Sequence, residues 1–160
     1  MKILIVSDTH RVHKYLDKMF EIEGGADLLI HLGDVEGGEY YIEQTAGCPV
    51  HMVAGNNDWF TQLPKEKEIR LGNKKALITH GHYYHVSSGY DRIIQEALRR
   101  KVNIVMFGHI HRPVQEERHG ILLLNPGSIS FPRQAGRQST YMVMEINADN
   151  EVSVELKNVD

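Results

Sequence analysis

Short apolar runs in this chain of 160 residues close on clusters of Asp, Asn and His. The clusters are Val-Ser-Asp-Thr-His (Asp8, His10), Leu-Gly-Asp (Asp34), Gly-Asn-Asn-Asp (Asn56, Asp58), Thr-His-Gly-His (His80, His82) and Phe-Gly-His-Ile-His (His109, His111). The runs before them, KILIV, ADLLIH, VHMVA, KKALIT and VNIVMF, read as strands, and in open α/β sheets the carboxyl ends of strands form the ligand crevice. Separate segments therefore bring nitrogen and oxygen donors to one place, which is how a metal site is built. Asp8 and His10 are two residues apart, as are His109 and His111, and in extended backbone such residues point to the same side, so each pair can address one locus. Imidazole and carboxylate suit divalent manganese, iron, zinc, nickel or cobalt, and the lack of thiolate donors argues against a structural zinc site. One His after a strand reads best as a hydrogen-bonded surface residue. Several such clusters at the same topological position do not.

The elements that must hold these residues fall into two rhythms. Strands over 2–6, 27–31 and 50–54 alternate with helices over about 12–22 and 36–46, with Gly24-Gly25 and Gly47 as stops, which implies a parallel sheet built by right-handed crossovers. The second half is richer in antiparallel hairpins. Runs 66–71 and 74–79 flank Gly72-Asn73, 113–118 and 121–124 flank His119-Gly120, and 139–146 and 151–157 flank Asp149-Asn150. A helix at about 88–100 leads to a strand at 103–107. Periodicity alone specifies a mixed α/β chain, and no repeat or linker divides residues 1–160 into more than one domain.

The series D-x-H, G-D, G-N-x-D, H-G-H, G-H-x-H resembles the calcineurin-like metallophosphoesterase family, and all five motifs stand in family order. The small size and the ending Leu124-Asn125-Pro126-Gly127-Ser128, with Ser130, Pro132 and Arg133, resemble its compact bacterial and archaeal phosphodiesterase branch, over about Lys2 to Met144. The resemblance implies a four-layer αββα sandwich of two mixed β-sheets with flanking helices. It also implies two divalent ions, most readily Mn2+, with Ni2+, Fe2+, Zn2+ or Co2+ as alternatives. Asp8, His10 and His111 would hold the first ion, Asn56, His80 and His109 the second, and Asp34 would bridge them. A hydroxide held by both ions would then attack phosphorus in line with the leaving oxygen. With so few carboxylates the site keeps positive charge for an anionic phosphoryl group.

The departures from the family pattern are as informative. The family commonly has His at the position of Asn57; Asn can donate a hydrogen bond to phosphate but cannot give up a proton near neutral pH. Aryl diesters, whose leaving groups need no acid, should therefore be cleaved better than alkyl monoesters. His82 is the best candidate for a further phosphate contact, followed by His85, Arg112 and Arg133. Arg11, where the family commonly has Gly, either reaches phosphate or is solvated. Asp58 either orients His10 from behind or forms a turn. Trp59-Phe60 and Tyr83-Tyr84 read first as core or lid packing and second as stacking surfaces, while His13, His31, His51 and His119 read as structural or solvent-facing.

Composition adds boundaries. Eighteen basic against 21 acidic residues give a net charge of −3 and imply no basic face. The cluster Arg99-Arg100-Lys101 reads as the cationic end of a helix. Cys48, the one cysteine, cannot form an internal disulfide and reads as filler in a reducing compartment. Four apolar residues between Lys2 and Ser7 are too few for a signal segment, and no run approaches the roughly 18 residues of a membrane span. The expectation is a cytoplasmic enzyme acting on a small phosphoester, with no membrane or specific nucleic-acid partner and with homo-oligomerisation open. The alternative is a catalytically weak binding scaffold of the same fold, as in the retromer-subunit branch, which lacks some of the His ligands.

Overall fold

The structure is a computed structural model that describes residues 1–159. Its first sheet has the order β10-β9-β1-β2-β3 and its second β4-β5-β6-β8-β7. In the first, β1 (Lys2–Val6) pairs in parallel with β2 (Leu28–His31), and β2 with β3 (Val50–Met52); β9 (Thr140–Ile146) and β10 (Val152–Asn158) join antiparallel. In the second, β5 (Lys74–Thr79), β6 (Ile104–Met106) and β8 (Ile121–Pro126) run parallel, flanked by antiparallel β4 (Glu66–Leu71) and β7 (Pro113–Arg118). Both sheets are mixed, as expected.

The apolar runs lack hydrophobic–polar alternation because both faces of the central strands are buried. Ile3, Ile5, Leu28 and Ile30 face the other sheet and meet Ala76, Ile78, Ile104, Met106 and Leu124 from it. Leu4, Val6 and Leu29 point outward onto Leu16 and Met19 of α1 (Lys14–Glu23) and Ile42 of α2 (Glu39–Thr45). On the far side Leu77, Val105 and Leu123 pack on Ile93, Ile94 and Ala97 of α3 (Asp91–Arg100). Each such side chain taken fully from water contributes about 1.5–3 kcal/mol. The result is helices, sheet, sheet, helix: the αββα order.

All three helices start later than their periodicity suggests, because the residues just before them are held elsewhere. Glu36, at φ 57, lies in the left-handed region and cannot open a helix, so α2 begins at Glu39. Residues 9–12 form a turn closed by the Val12 N–H on the Thr9 carbonyl, and Ser88 N–H closes another on His85, which delays α1 and α3. β3 likewise ends at Met52 rather than 54, as Ala54 donates to Pro64 outside the sheet. At its end α3 carries Arg100, which pairs with Glu66 and Glu96 and ties the helix to β4. Cys48 is half-buried and burial raises its thiol pKa, so it offers no thiolate.

Candidate metal centre

The carboxyl ends of β1, β2, β3, β5 and β6 open at one end of the sandwich, and the residues after them turn sharply. Asp8, His10, Asp34, His109 and His111 all have positive φ, between 45° and 70°. Non-glycine residues in this region are strained, and such strain concentrates at functional sites. Two glycines let the loops approach closely. A Cβ on Gly55 would collide with the Asp34 carboxylate, and one on Gly108 with the Ser7 hydroxyl. The Leu124–Ser128 segment braces these loops from behind: Ser128 Oγ donates to the Asp8 carbonyl at 2.8 Å and Asn125 Nδ2 to the Gly108 carbonyl at 2.7 Å.

Two groups of donors result. In the first, donor atoms of Asp8, His10, Asp34 and His111 all lie within 4.8 Å of one another. His111 Nε2 is 3.0 Å from Asp8 Oδ1 and 3.4 Å from His10 Nε2. In the second, Asn56 Oδ1 lies 3.1 Å from His80 Nε2 and 2.9 Å from His109 Nδ1. Asp34 stands between the groups, its Oδ2 3.7 Å from His10 Nε2 and 3.5 Å from His80 Nε2. All seven residues expected as ligands are therefore brought together. The pairing of His109 with His111 is not as extended backbone would have it. The turn at Gly108–His111 sends His111 to Asp8 and His109 to Asn56, whereas Asp8 and His10 do converge on one locus.

The imidazoles are aimed by what holds their other nitrogen. His111 Nδ1 donates to the Phe131 carbonyl at 2.7 Å and His80 Nδ1 to the Leu32 carbonyl at 2.6 Å. A carbonyl only accepts, so Nδ1 carries the proton and Nε2 turns a lone pair inward. His10 Nδ1 is held by Glu36 Oε1 at 2.5 Å in the same way. The inward Nε2 atoms face carboxylate or amide oxygens, and Asp8 Oδ1 is buried without a hydrogen bond. Lone pairs crowded against each other need positive charge among them, a proton or a cation. The donor set fits a divalent ion on that ground.

The titration behaviour agrees. Burial opposes ionisation of Asp8, yet the neighbouring His111 and His80 outweigh it and hold the carboxyl below its ordinary value. Asp34 is held far lower, against its own burial, by His80 and by two hydrogen bonds from Asn57. For His80 burial favours the neutral ring, but Asp34 and Asp8 override it and raise its pKa. Burial and the charges of His80 and His109 push His82 down to about 4.

Other expected residues sort differently. Asp58 does not touch His10; it accepts the Gly55 N–H at 2.7 Å and the Glu36 N–H, so it forms the turn, and Glu36 holds His10 instead. Asn57 is spent on Asp34, with its backbone N–H and its Nδ2 each 2.8 Å from a carboxylate oxygen. His82 lies beside the centre, ring centroids 5.4 Å from His80 and 6.1 Å from His109. His85 is turned to a separate groove with Tyr84 and Asp91. Arg11 donates to the Glu36 carbonyl, and Arg112 and Arg133 line a cleft beside His10 and His111. Trp59 and Phe60 do not pack in the core but stand exposed at 77% and 104%. Tyr84 hydrogen-bonds Glu66, and Tyr83 is exposed under Lys65. His31 is structural: buried and driven to about 4 chiefly by that burial, it bridges Thr9 Oγ1 and the Gly33 N–H.

Comparison with known proteins agrees with this geometry. A probable metallophosphoesterase of Bacillus subtilis is 31% identical over 150 residues, covering 93% of this chain and 86% of that protein. A phosphodiesterase of Methanocaldococcus jannaschii is 30% identical over 146 residues, covering 79% and 83%. The crystal structure of a phosphoesterase-like protein from Streptococcus pneumoniae superposes with a TM-score of 0.85 at 28% identity, covering 99% of this chain and 89% of that one. Vps29 from Entamoeba histolytica, solved with zinc, gives 0.79 at 25% identity with both chains fully covered. The model of the calcineurin-like phosphoesterase superfamily domain matches residues 1–149, and the chain belongs to that superfamily.

Proposed function

We propose that this chain is a binuclear-metal-dependent phosphodiesterase acting on a small phosphoester. The observation that carries the reading is the pair of donor groups joined at Asp34, whose inward lone pairs and unsatisfied Asp8 Oδ1 fit cations placed among them. Asp8, His10 and His111 would hold one ion, Asn56, His80 and His109 the other, and Asp34 both. Bound there, divalent ions supply Lewis-acid activation of water and of the phosphoryl group. The residues do the rest. Asp8 and Asp34 stay ionised at neutral pH, so the donor set is ready without a proton to displace from either carboxylate. Glu36 and the Phe131 and Leu32 carbonyls fix the imidazole tautomers. His82, neutral at pH 7 and with its ring beside His80 and His109, offers hydrogen bonding to phosphate beside the second group.

Neither Asn57 nor neutral His82 is a strong acid, which supports preference for esters with good leaving groups. The resemblance to a phosphodiesterase of M. jannaschii points the same way. The test is a phosphoester panel assayed after chelation and again with each divalent metal. Chelated protein should remain folded and inactive, manganese or a similar ion should restore hydrolysis, and bis-aryl phosphate should exceed alkyl monoesters in kcat/KM. Undiminished hydrolysis by chelated protein would sink the proposal. The likeness to Vps29, a vacuolar protein sorting chain, favours a second reading as a binding scaffold. That reading takes over if the protein binds no metal at millimolar supply.

A further inference from the structure

Beside the first donor group the surface falls into a cleft of about 890 Å³ whose lining includes His10 and His111. Its lining also carries Arg112, Arg133 and Arg137, together with Tyr15 and Phe131, and among the described residues no acidic side chain lines it. Several cations elsewhere on the molecule are paired, Lys2 and Lys157 with Glu23, Lys75 with Glu68, Arg100 with Glu66 and Glu96, and Arg118 with Glu116, while others stand singly on the surface. Among the described residues, none of the three cleft guanidiniums has an ion pair or side-chain hydrogen bond to the protein. In a chain of net charge −3, this concentration is not explained by composition.

The cleft is also built into the centre. Phe131 is 49% exposed, yet its carbonyl accepts from His111 Nδ1 and its ring meets His10 edge-on at 5.3 Å. The Arg133 N–H is bound to the His111 carbonyl at 2.9 Å. The segment that aims His111 therefore also frames the cleft, and a substrate whose phosphoryl group sits at the donors has room to send one arm into it.

We infer that this cleft takes a nucleotide-like arm of the substrate, its planar ring against Phe131 and Tyr15 and a second, terminal phosphate on Arg112, Arg133 and Arg137. Guanidinium forks match phosphate oxygens bidentately, and three of them call for more charge than a simple diester carries. Two aromatic faces suit a base or aryl ring, and the volume is that of a small-molecule site. The inference rests on the phosphodiesterase reading and narrows it to diesters bearing a further phosphate. In the reaction, water adds its oxygen to the scissile phosphorus, the bond to the leaving arm's oxygen breaks, and that arm departs as an alcohol carrying a proton from water.

The probes are the adenine dinucleotide with and without a 5′-phosphate. On chelated protein, calorimetry should show tighter binding of the phosphorylated form by about tenfold or more, the scale of a hydrogen bond to a charged group. On metal-loaded protein kcat/KM should follow the same ratio. Arg133→Gln and Arg137→Gln should collapse both ratios toward one, with Arg→Lys at each position retaining part. Arg70→Gln, which removes an equal charge from β4, should leave the ratios intact. A merely structural role for the arginines would lower both ligands in proportion and keep the ratio, which overturns the inference; so does a wild-type protein indifferent to the terminal phosphate. If the loaded enzyme cleaves nothing, the phosphodiesterase reading falls, while the calorimetric ratio still decides what the cleft binds.

Discussion

The two halves of the donor cluster are built to different standards. The first half has two carboxylates, Asp8 and the shared Asp34, and is the more buried, with Asp8 0% and His111 4% exposed and only His10 part-exposed toward the cleft. The second half has only Asp34's carboxylate, a neutral Asn56 that is exposed, and a part-exposed His109; His80 and the shared Asp34 are its buried members. Buried anions held near positive charge interact more strongly than exposed neutral dipoles, because water screens less there. We therefore expect the first half to be the tighter seat and the second the more adaptable one, where a substrate oxygen can take a place. Shared use of Asp34 makes the halves interdependent, so the difference can be tested residue by residue.

The largest effect should come from the residue common to both halves. Asp34→Asn keeps the shape but removes the shared charge, and it should cost several kcal/mol of transition-state stabilisation, at least about 10³-fold in kcat/KM. Metal titration should show both ions weakened with the thermal transition of the metal-free protein little changed. Loss of one ion alone would mean that the halves are independent.

Next come the substitutions that touch one half. His111→Ala should abolish the tighter step in a calorimetric metal titration, whereas His109→Ala should leave that step and lose the weaker one. Glu36→Gln acts only through His10, and such outer partners are typically worth about 10–100-fold in metal affinity, here in the tight step. If His111→Ala and His109→Ala removed the same step, the division would be wrong.

The smallest effect is a difference in titration within the metal-free protein, read from histidine ring NMR signals. His82 should stay neutral down to about pH 4 and His80 should keep its proton above the ordinary 6.5. The signs for stability are opposite. The depressed His82 contributes stability above pH 6.5 that is lost as pH falls toward 4, and the raised His80 contributes stability below 6.5 that is lost as pH rises through its pKa. Because metal must displace the His80 proton, affinity at the second half should fall on acidification. Identical titration of the two rings would remove the electrostatic basis of the contrast.

Much of this was readable along the chain because it is local. Continuous apolar runs such as Ile3–Val6 mark strands buried on both faces, and the donors that follow them must lie at strand ends. The hairpins at Gly72-Asn73 and His119-Gly120, the cationic end of α3, and the seven donor residues are properties of short segments. Their types alone restrict the chemistry to nitrogen and oxygen ligation.

What could not be read was settled by contacts across long separations. Glu36 displaces Asp58 as the partner of His10 because its backbone at φ 57 swings the carboxylate inward, a conformation no pattern of side chains announces. The Leu32 and Phe131 carbonyls that fix the His80 and His111 tautomers are main-chain atoms 48 and 20 residues distant, and every residue type has such a carbonyl. The separation of His109 from His111 follows from a turn packed against Ser7 and Asp8 of another strand. The assembly of Arg112, Arg133 and Arg137 into one cleft is likewise a matter of which loops share an end of the sandwich. Residue chemistry sets which donors are present, but distance and orientation, which decide what donors do, arise only when the two sheets pack.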